Sequence, residues 1–126
     1  MVKSIVYVTQ TDTHVAVTCL DSIKPSQPIG SAETNPWFEE EGWWWLCRVK
    51  VNEKSQRSGI GTLLLMNLQK VLQAKGVRGL VVAPGGYGSD LSRLVKFYEA
   101  NGFVQDKDHG LLRWTAKTEN QTPLEA

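Results

Sequence analysis

Residues Val49 to Leu64 read V-K-V-N-E-K-S-Q-R-S-G-I-G-T-L-L and combine three kinds of local sequence. Apolar residues alternate as far as Val51, polar residues continue to Arg57, and an apolar-periodic segment begins beyond Gly61. This order predicts a strand, a glycine-rich turn and the beginning of a helix. Unpaired backbone amides at a helix N-terminus, with the helix dipole behind them, attract phosphate oxygens. The stretch therefore predicts a phosphate-binding turn.

Two glycines in this turn, Gly59 and Gly61, would let a ligand approach the backbone amides without meeting a side chain. Two other nucleotide-binding patterns do not fit. A P-loop requires Gly-Lys-Ser/Thr at its end, but Gly61 is followed directly by Thr62. The dinucleotide pattern requires a third glycine where this chain has Leu64. The turn is therefore expected to hold a phosphate ligand of a different class.

Length and composition limit the possible functions. The chain has 126 residues, which suits one compact domain with a core of its own. Its net charge of +1 gives no electrostatic case for binding nucleic acid or an anionic membrane. The N-terminus lacks a signal-peptide pattern, and no apolar run approaches the roughly 18 residues of a membrane span. We expect a cytoplasmic protein without nucleic-acid or membrane partners, in which Cys19 and Cys47 are free, buried thiols.

The N-terminal third predicts two strands followed by a long loop. Residues 4–9 and 14–20 are rich in β-branched residues and flank a polar turn, which predicts an antiparallel hairpin. Residues 23–42 contain three prolines and many small polar residues, and they predict a loop. Loops of this length inside a compact domain usually have a function, so we expect this one to contribute to binding.

Three consecutive tryptophans mark the central strand, which is predicted at residues 42–51. Side chains alternate between the two faces of a strand, so Trp43 and Trp45 should share one face and Trp44 the other. Core packing accounts for most such tryptophans. We nevertheless expect at least one of the three to line a binding cleft.

Two helices are predicted in the C-terminal half. Apolar residues at three- and four-residue spacing predict a helix over 59–75 that ends at Gly76. Residues 77–83 predict a short strand, and a right-handed crossover would place it parallel to the central strand. A second helix is predicted over 90–101, and a closing hairpin follows over 103–114. The inward-facing residues of the second helix are predicted to be Leu91, Leu94, Val95 and Tyr98.

Two motifs carry a family resemblance. The run Gln56-Arg57-Ser58-Gly59-Ile60-Gly61 fits the Q/R-x-x-G-x-G/A pattern of the loop that binds the pyrophosphate of acetyl-coenzyme A (acetyl-CoA). The run Phe97-Tyr98-Glu99-Ala100-Asn101-Gly102-Phe103 fits a second signature, F/L-Y-x-x-x-G-F. Two such motifs in the correct order are far more specific than either alone. From about Trp43 to Trp114 the chain resembles the GNAT (Gcn5-related) N-acetyltransferases.

The resemblance implies an α/β fold with a mixed, mostly antiparallel sheet, a splayed central parallel pair and two main helices. The hairpin begins almost at the first residue, so the N-terminal helices of the family are expected to be reduced or absent. We expect a single domain over 1–114 and a polar, disordered tail over 115–126. In its C-terminal part the short chain also resembles small acetyltransferases of phages and mobile elements.

The resemblance also implies acetyl-CoA as cosubstrate and no metal. Backbone amides near Val49 and Val51 would bond the acetyl carbonyl and the pantetheine chain. Tyr98 would protonate the departing thiolate of coenzyme A. An asparagine that many relatives place near Leu91 is absent, so one pantetheine contact is in doubt. The residues expected to bind the cosubstrate are Val49, Val51, Gln56, Arg57, Ser58, Gly59, Ile60, Gly61 and Thr62.

The implied reaction is direct attack of an amine on the thioester, which requires a group that removes a proton from the ammonium form. Some relatives use a glutamate on the central strand, but that position is Trp45 in this chain. We take Glu41, from the acidic run at 39–41, as the predicted base. Glu53 and Asp90 remain alternatives, each acting through water.

The function implied is transfer of an acetyl group from acetyl-CoA to a primary amine of a small molecule or a protein lysine. A non-catalytic sensor or interaction module that binds coenzyme A is the alternative, because no glutamate occupies position 45. The expected partners are acetyl-CoA and the amine acceptor. Without N-terminal helices, the acceptor-binding wall would come from the loop at 23–38 or from the second subunit of a homodimer.

Overall fold

The computed structural model describes residues 4–23, 26, 28–52, 59–84, 91–106 and 110–117. Within these residues, seven strands form one sheet in the order β1-β2-β3-β4-β5-β7-β6, with two helices packed on it. Among the described strand pairs, only β4–β5 is parallel. The predicted mixed, mostly antiparallel α/β fold is confirmed. The elements are β1 (Ser4–Thr11), β2 (His14–Asp21), β3 (Pro28–Pro36), β4 (Trp43–Val51), α1 (Ile60–Lys75), β5 (Gly79–Val82), α2 (Leu91–Ala100), β6 (Val104–Asp106) and β7 (Leu111–Thr115).

The first two strands form the predicted hairpin. Thr11 pairs with His14 across the turn, and the register continues without interruption to the other end of β1. On β2, Val15, Val17 and Cys19 are fully buried, as the alternation of a strand that covers a core requires. No helix precedes α1 in the part of the chain that the structure describes.

The prediction of a loop over 23–42 is wrong, because Pro28–Pro36 form strand β3 between β2 and β4. The prolines begin and end this strand and do not interrupt its ladder. Its inward residues are small because α1 packs closely on them: a Cβ atom on Gly30 would lie 3.2 Å from Leu64 Cδ1 and 2.8 Å from the Lys50 carbonyl oxygen. Of the described residues in the predicted loop, 23, 26 and the β3–β4 turn at 37–42 lie outside the strand.

Helix α1 agrees with its prediction and supplies most of the core. Its buried residues are Ile60, Leu64, Leu65, Leu68 and Leu72. It ends at Gly76, whose φ of 83° lies in the left-handed region, where glycine is favoured. Trp44, Tyr98 and alternate residues of the strands belong to the same core cluster, so both helices cover one face of the sheet.

Helix α2 contacts the rest of the molecule mainly through its C-terminal end. Tyr98 is its only buried residue within the described range, and the Gln69 amide donates to the carbonyl of Asn101 just beyond the helix. The predicted inward orientation of Leu91 is wrong, since this first helical residue is 55% exposed.

The closing hairpin is also confirmed, with β7 between β5 and β6. Thr115 belongs to β7, and the buried Ala116 donates its amide to the Arg78 carbonyl at 2.9 Å. The tail predicted from residue 115 thus begins inside a strand, and residues 118–126 lie outside the described part. None of the described helices has the length and apolar character that a membrane crossing requires.

Candidate active site

Strands β4 and β5 separate along their length. Their parallel register runs only from the pair Trp43 and Gly79 to the pair Trp45 and Val81, although β4 continues to Val51. Among the described residues, no strand pairs with the second half of β4 on its β5 side, and this side of β4 is hereafter called the β4–β5 opening. The predicted splayed pair is confirmed.

A β-bulge lies where the two strands separate. Thr34 pairs with Leu46 and Glu33 pairs with Arg48, so Cys47 is an extra residue on β4. A bulge bends its strand and increases the local twist. The last β4 residue that pairs with β5 is Trp45, two residues before the bulge.

The register beyond the bulge determines the direction of the β4 amides. The Asn52 amide donates to the Ile29 carbonyl of β3 at 2.8 Å. Hydrogen-bonded and non-hydrogen-bonded pairs alternate in an antiparallel ladder, so the amides of Val49 and Val51 point away from β3. These two amides, expected from the sequence to bind acetyl and pantetheine groups, are thus directed toward the β4–β5 opening.

The N-terminus of α1 lies at the far end of β4. Val51 pairs with Gly30, and a Cβ on Gly30 would lie 3.3 Å from the Ile60 side chain. The first helical hydrogen bond runs from the Leu63 amide to the Gly59 carbonyl at 3.0 Å, so the amides of residues 60–62 precede the helical ladder. No acidic residue lies in the first turn. The arrangement suits an anionic ligand.

The two glycines of this turn have different structural roles. Gly59 has a φ of 86°, and a Cβ placed there would meet no atom of the described residues within 4 Å. A Cβ on Gly61 would instead lie 3.0 Å from Phe97 Cζ. Gly61 therefore permits contact between α1 and α2, a role that the sequence analysis did not foresee. Gln56, Arg57 and Ser58 lie outside the described residues.

Tyr98 follows the phenylalanine that contacts Gly61, so the two sequence motifs meet in space. Its ring lies between those of Phe97 and Phe103, with centroid distances of 5.3 and 5.4 Å. Tyr98 is 7% exposed, and burial raises the pKa of its phenol. No other described residue is hydrogen bonded to the hydroxyl group. The phenol is consequently protonated at neutral pH and able to donate.

Comparison with known proteins agrees with this arrangement. The model of the acetyltransferase (GNAT) family matches residues 6–103. This chain belongs to the GNAT family. A search of the curated proteins found no match to this chain.

Solved structures show the same GNAT fold. A Desulfovibrio desulfuricans protein described as a GNAT-family acetyltransferase is 21% identical, with a TM-score of 0.66 over 82% of this chain and 69% of its own. The PaiA N-acetyltransferase of Thermoplasma acidophilum, in complex with coenzyme A, is 19% identical, with a TM-score of 0.66 over 82% of this chain and 61% of its own. A Bacillus anthracis protein described as a streptothricin acetyltransferase, in complex with acetyl-CoA, is 12% identical, with a TM-score of 0.66 over 92% and 86%.

Glu41, the predicted base, lies far from the β4–β5 opening. Glu41 is exposed in the β3–β4 turn, before the first residue of β4. Val49 lies six positions after Trp43 along the strand, which corresponds to roughly 20 Å at the rise of a β-strand. The structure therefore does not bring Glu41 to Val49. Glu53 and Asp90, the alternative bases, lie outside the described residues.

Arg113, which the sequence analysis missed, anchors this turn. Its guanidinium lies 4.9 Å from the ring centroid of Trp43 and 5.4 Å from that of Trp37. It donates to both carboxylate oxygens of Glu40, at 2.6 and 3.2 Å, and through Nε to Asp106 at 2.8 Å. The hydrogen bond with Glu40 is the main reason that the pKa of Arg113 is raised. Glu40 thus serves to hold the turn against β7.

The aromatic residues around Arg113 lie on the face of the sheet opposite the helices, hereafter the open face. Trp45 packs against Trp37 with ring centroids 5.8 Å apart, whereas Trp44 belongs to the core beneath the helices. The predicted division of the three tryptophans between the two faces is confirmed. Strand alternation was sufficient for this prediction, but it did not identify Arg113 as their partner.

Cys47 is a free thiol, as predicted, but it is exposed and not buried because it is the extra residue of the bulge. Partial burial raises the pKa of the thiol; a hydrogen bond to Asn35 lowers it in part, and the negative charge of Glu33 raises it further. The thiol is therefore protonated at neutral pH and a poor nucleophile. Cys19 is free and buried. Among the described residues, no group of three His, Cys, Asp or Glu residues is arranged to hold a metal ion.

Proposed function

We propose that the chain is an N-acetyltransferase that transfers the acetyl group of acetyl-CoA to a primary amine. The acceptor belongs to a small molecule or is a lysine of a protein. The observation that carries this proposal is the β4–β5 opening, which runs along the outward amides of β4 toward the N-terminus of α1. The family assignment and the relatives solved with coenzyme A or acetyl-CoA support it.

The donor would lie along the second half of β4. The amide of Val49 bonds the acetyl carbonyl, which polarises the thioester and accepts the charge that develops during attack. The amide of Val51 bonds the pantetheine chain. At the end of the strand, the loop amides from Arg57 to Thr62 hold the pyrophosphate, with Arg57 as its charge partner. Among the described residues, nothing would obstruct a ligand beside the Gly59 backbone, which supports this arrangement.

Tyr98 protonates the departing thiolate. Its raised pKa keeps the phenol in the donor form at neutral pH, and its contact with Phe97 holds it beside the N-terminus of α1. A general acid contributes typically 100- to 10,000-fold to the rate of such a step. Tyr98 therefore acts on the leaving group and has no part in activating the acceptor amine.

The amine attacks the thioester directly, without an acetyl-cysteine intermediate. Cys47 is the described thiol nearest the β4–β5 opening, but its raised pKa leaves little thiolate at neutral pH. Cys19 is buried in the core. The observation that favours a non-catalytic coenzyme-A sensor is Trp45, which stands where some relatives carry the catalytic glutamate.

Two measurements on the full chain test the proposal in sequence. Saturating acetyl-CoA should raise the midpoint of thermal unfolding, because a ligand that binds only the native state stabilises it. Release of free coenzyme A should then depend on added primary amine, with the N-acetylated product identified by mass spectrometry. An unchanged midpoint would remove both the enzyme and the sensor. Stabilisation without thiol release for any amine would favour the sensor.

A further inference from the structure

Strand β1 lies at one end of the described sheet, with β2 on one side and no described strand on the other. Its eight residues read S-I-V-Y-V-T-Q-T and include no charged residue and no proline. Its register with β2 runs from Ser4 to Thr11 without a shift. Natural proteins usually protect an edge strand by charge, proline, a bulge or short length. Strand β1 has none of these four protections.

The opposite edge of the described sheet, β6, differs from β1. It has three residues, and the last of them, Asp106, is charged and bonded to Arg113. Strand β1 is longer and exposes apolar side chains along its length: Ile5 is 46% exposed, Tyr7 44% and Val8 36%. A long, uncharged edge with exposed apolar residues favours pairing with another strand.

The β1–β2 turn determines which backbone groups of β1 point away from the sheet. Two residues separate the paired residues Thr11 and His14. The closing pair of a two-residue hairpin is hydrogen bonded, and hydrogen-bonded pairs alternate with non-hydrogen-bonded pairs along the ladder. The amides and carbonyls of residues 5, 7, 9 and 11 therefore face β2. Those of residues 4, 6, 8 and 10 point outward and could bond a further strand.

We propose that β1 is a dimer interface, at which the β1 strands of two copies of this chain pair antiparallel around a twofold axis. Such an interface must be complementary to itself. A register centred on Tyr7 pairs Val6 with Val8 of the second copy and extends over residues 4–10. The outward groups of the even-numbered residues then meet and form about eight hydrogen bonds. This number approaches the about ten hydrogen bonds of a typical stable interface.

The side chains of β1 favour a second copy in this register. Tyr7 would face its counterpart in a non-hydrogen-bonded pair, where side chains are closest and aromatic pairs stabilise. No like charges would meet, because the strand is uncharged, and a net charge of +1 per copy adds little repulsion. A register centred on Val8 would instead place Ile5 opposite Thr11, whose carbonyl already accepts a hydrogen bond from Lys75.

The dimer would join the two sheets edge to edge and leave both sites independent. Val6 packs against the core beneath the helices, so its pairing with Val8 places the helices of both copies on the same side. Strand β4 lies three strands from β1, roughly 14 Å from the interface strand. Acetyl-CoA binding should therefore be the same in monomer and dimer, and the inference does not depend on the proposed acetyltransferase function.

Sedimentation velocity of the full chain over a concentration series tests the dimer. We expect a monomer–dimer equilibrium, and Val8→Lys should raise its Kd by about tenfold or more, because an edge lysine opposes strand pairing. Val104→Lys is the matched control, since it makes the same change at an exposed position of the opposite edge, and its Kd should be unchanged. A monomer at every concentration up to about 1 mM, or equal Kd values for the two variants, would overturn the proposal.

Disulfide formation tests the register in a Cys47→Ser background, which removes the exposed thiol. The two copies of residue 7 would lie about 4.5 Å apart between Cα atoms, within the range of a disulfide. Tyr7→Cys should therefore form a covalent dimer on mild oxidation, whereas Thr9→Cys, which would face Ile5, should not. Equal cross-linking of the two variants would refute this register. If Val8→Lys does not fold, Gln10→Pro removes one outward amide, and an unchanged dimer Kd in that variant overturns the proposal.

Discussion

A negative charge in the first turn of α1 should stabilise the free protein and weaken binding of acetyl-CoA. Thr62 is exposed on this turn, and its amide is one of the three expected to hold the pyrophosphate. In Thr62→Glu, the carboxylate interacts favourably with the helix dipole, by about 0.3–1 kcal/mol. The same carboxylate repels the pyrophosphate. One substitution should therefore change the stability of the free protein and its affinity for the ligand in opposite directions.

The size of the repulsion follows from the position of the side chain. Two unit charges at 4 Å interact by about 1 kcal/mol in water and about 4 kcal/mol near a protein surface. The side chain is exposed, so we take about 1.5–3 kcal/mol for its repulsion of the pyrophosphate. Each 1.4 kcal/mol corresponds to a tenfold change, so Kd should rise roughly 10- to 100-fold. The increase should become smaller as salt screens the charges.

Isothermal titration with acetyl-CoA and thermal unfolding of the free protein measure the two effects. Thr62→Gln is the matched control, because it has the same side-chain length without the charge. We expect Thr62→Glu to have the higher unfolding midpoint and the weaker affinity of the pair. Equal affinities for the two variants at low salt would refute the reasoning, and the pyrophosphate would then have to bind elsewhere.

Other consequences concern the aromatic and glycine contacts. Tyr98→Phe should lower kcat by 100-fold or more with acetyl-CoA affinity unchanged, and equal kcat with chemistry rate-limiting would exclude Tyr98 as the acid. Folding raises the pKa of this phenol, so the folded state keeps the phenol proton to a higher pH than the unfolded state does. The free energy of unfolding, measured by urea titration, should therefore fall above about pH 10, and it should fall less steeply in Tyr98→Phe. Gly61→Ala should destabilise by about 1 kcal/mol, since its Cβ would press on the neighbouring phenylalanine ring; a stabilised variant would contradict that packing. Arg113→Met should lower the free energy of unfolding in urea by about 2 kcal/mol, because the hydrogen bonds from its guanidinium to Glu40 and Asp106 are lost, whereas Lys50→Met, an exposed control, should be nearly neutral.

Periodicity was enough to predict most of the fold. The alternation of β2 and the three- and four-residue spacing of α1 give the same answer as the local propensities of these segments, so their prediction needed no tertiary information. Strand β3 differs because α1 requires small residues beneath it. Gly30 and Ala32 are a consequence of that contact, and in the sequence they resemble a loop.

The candidate site also has one part that the sequence predicted and another that it did not. Backbone features of the donor side, such as the turn at Gly59 and the order of strand and helix, leave a sequence motif because only certain residues permit them. The bulge at Cys47 leaves no such mark, since it depends on how β3 and β4 align. Prediction of this bulge therefore required the β3–β4 register, which the sequence did not reveal.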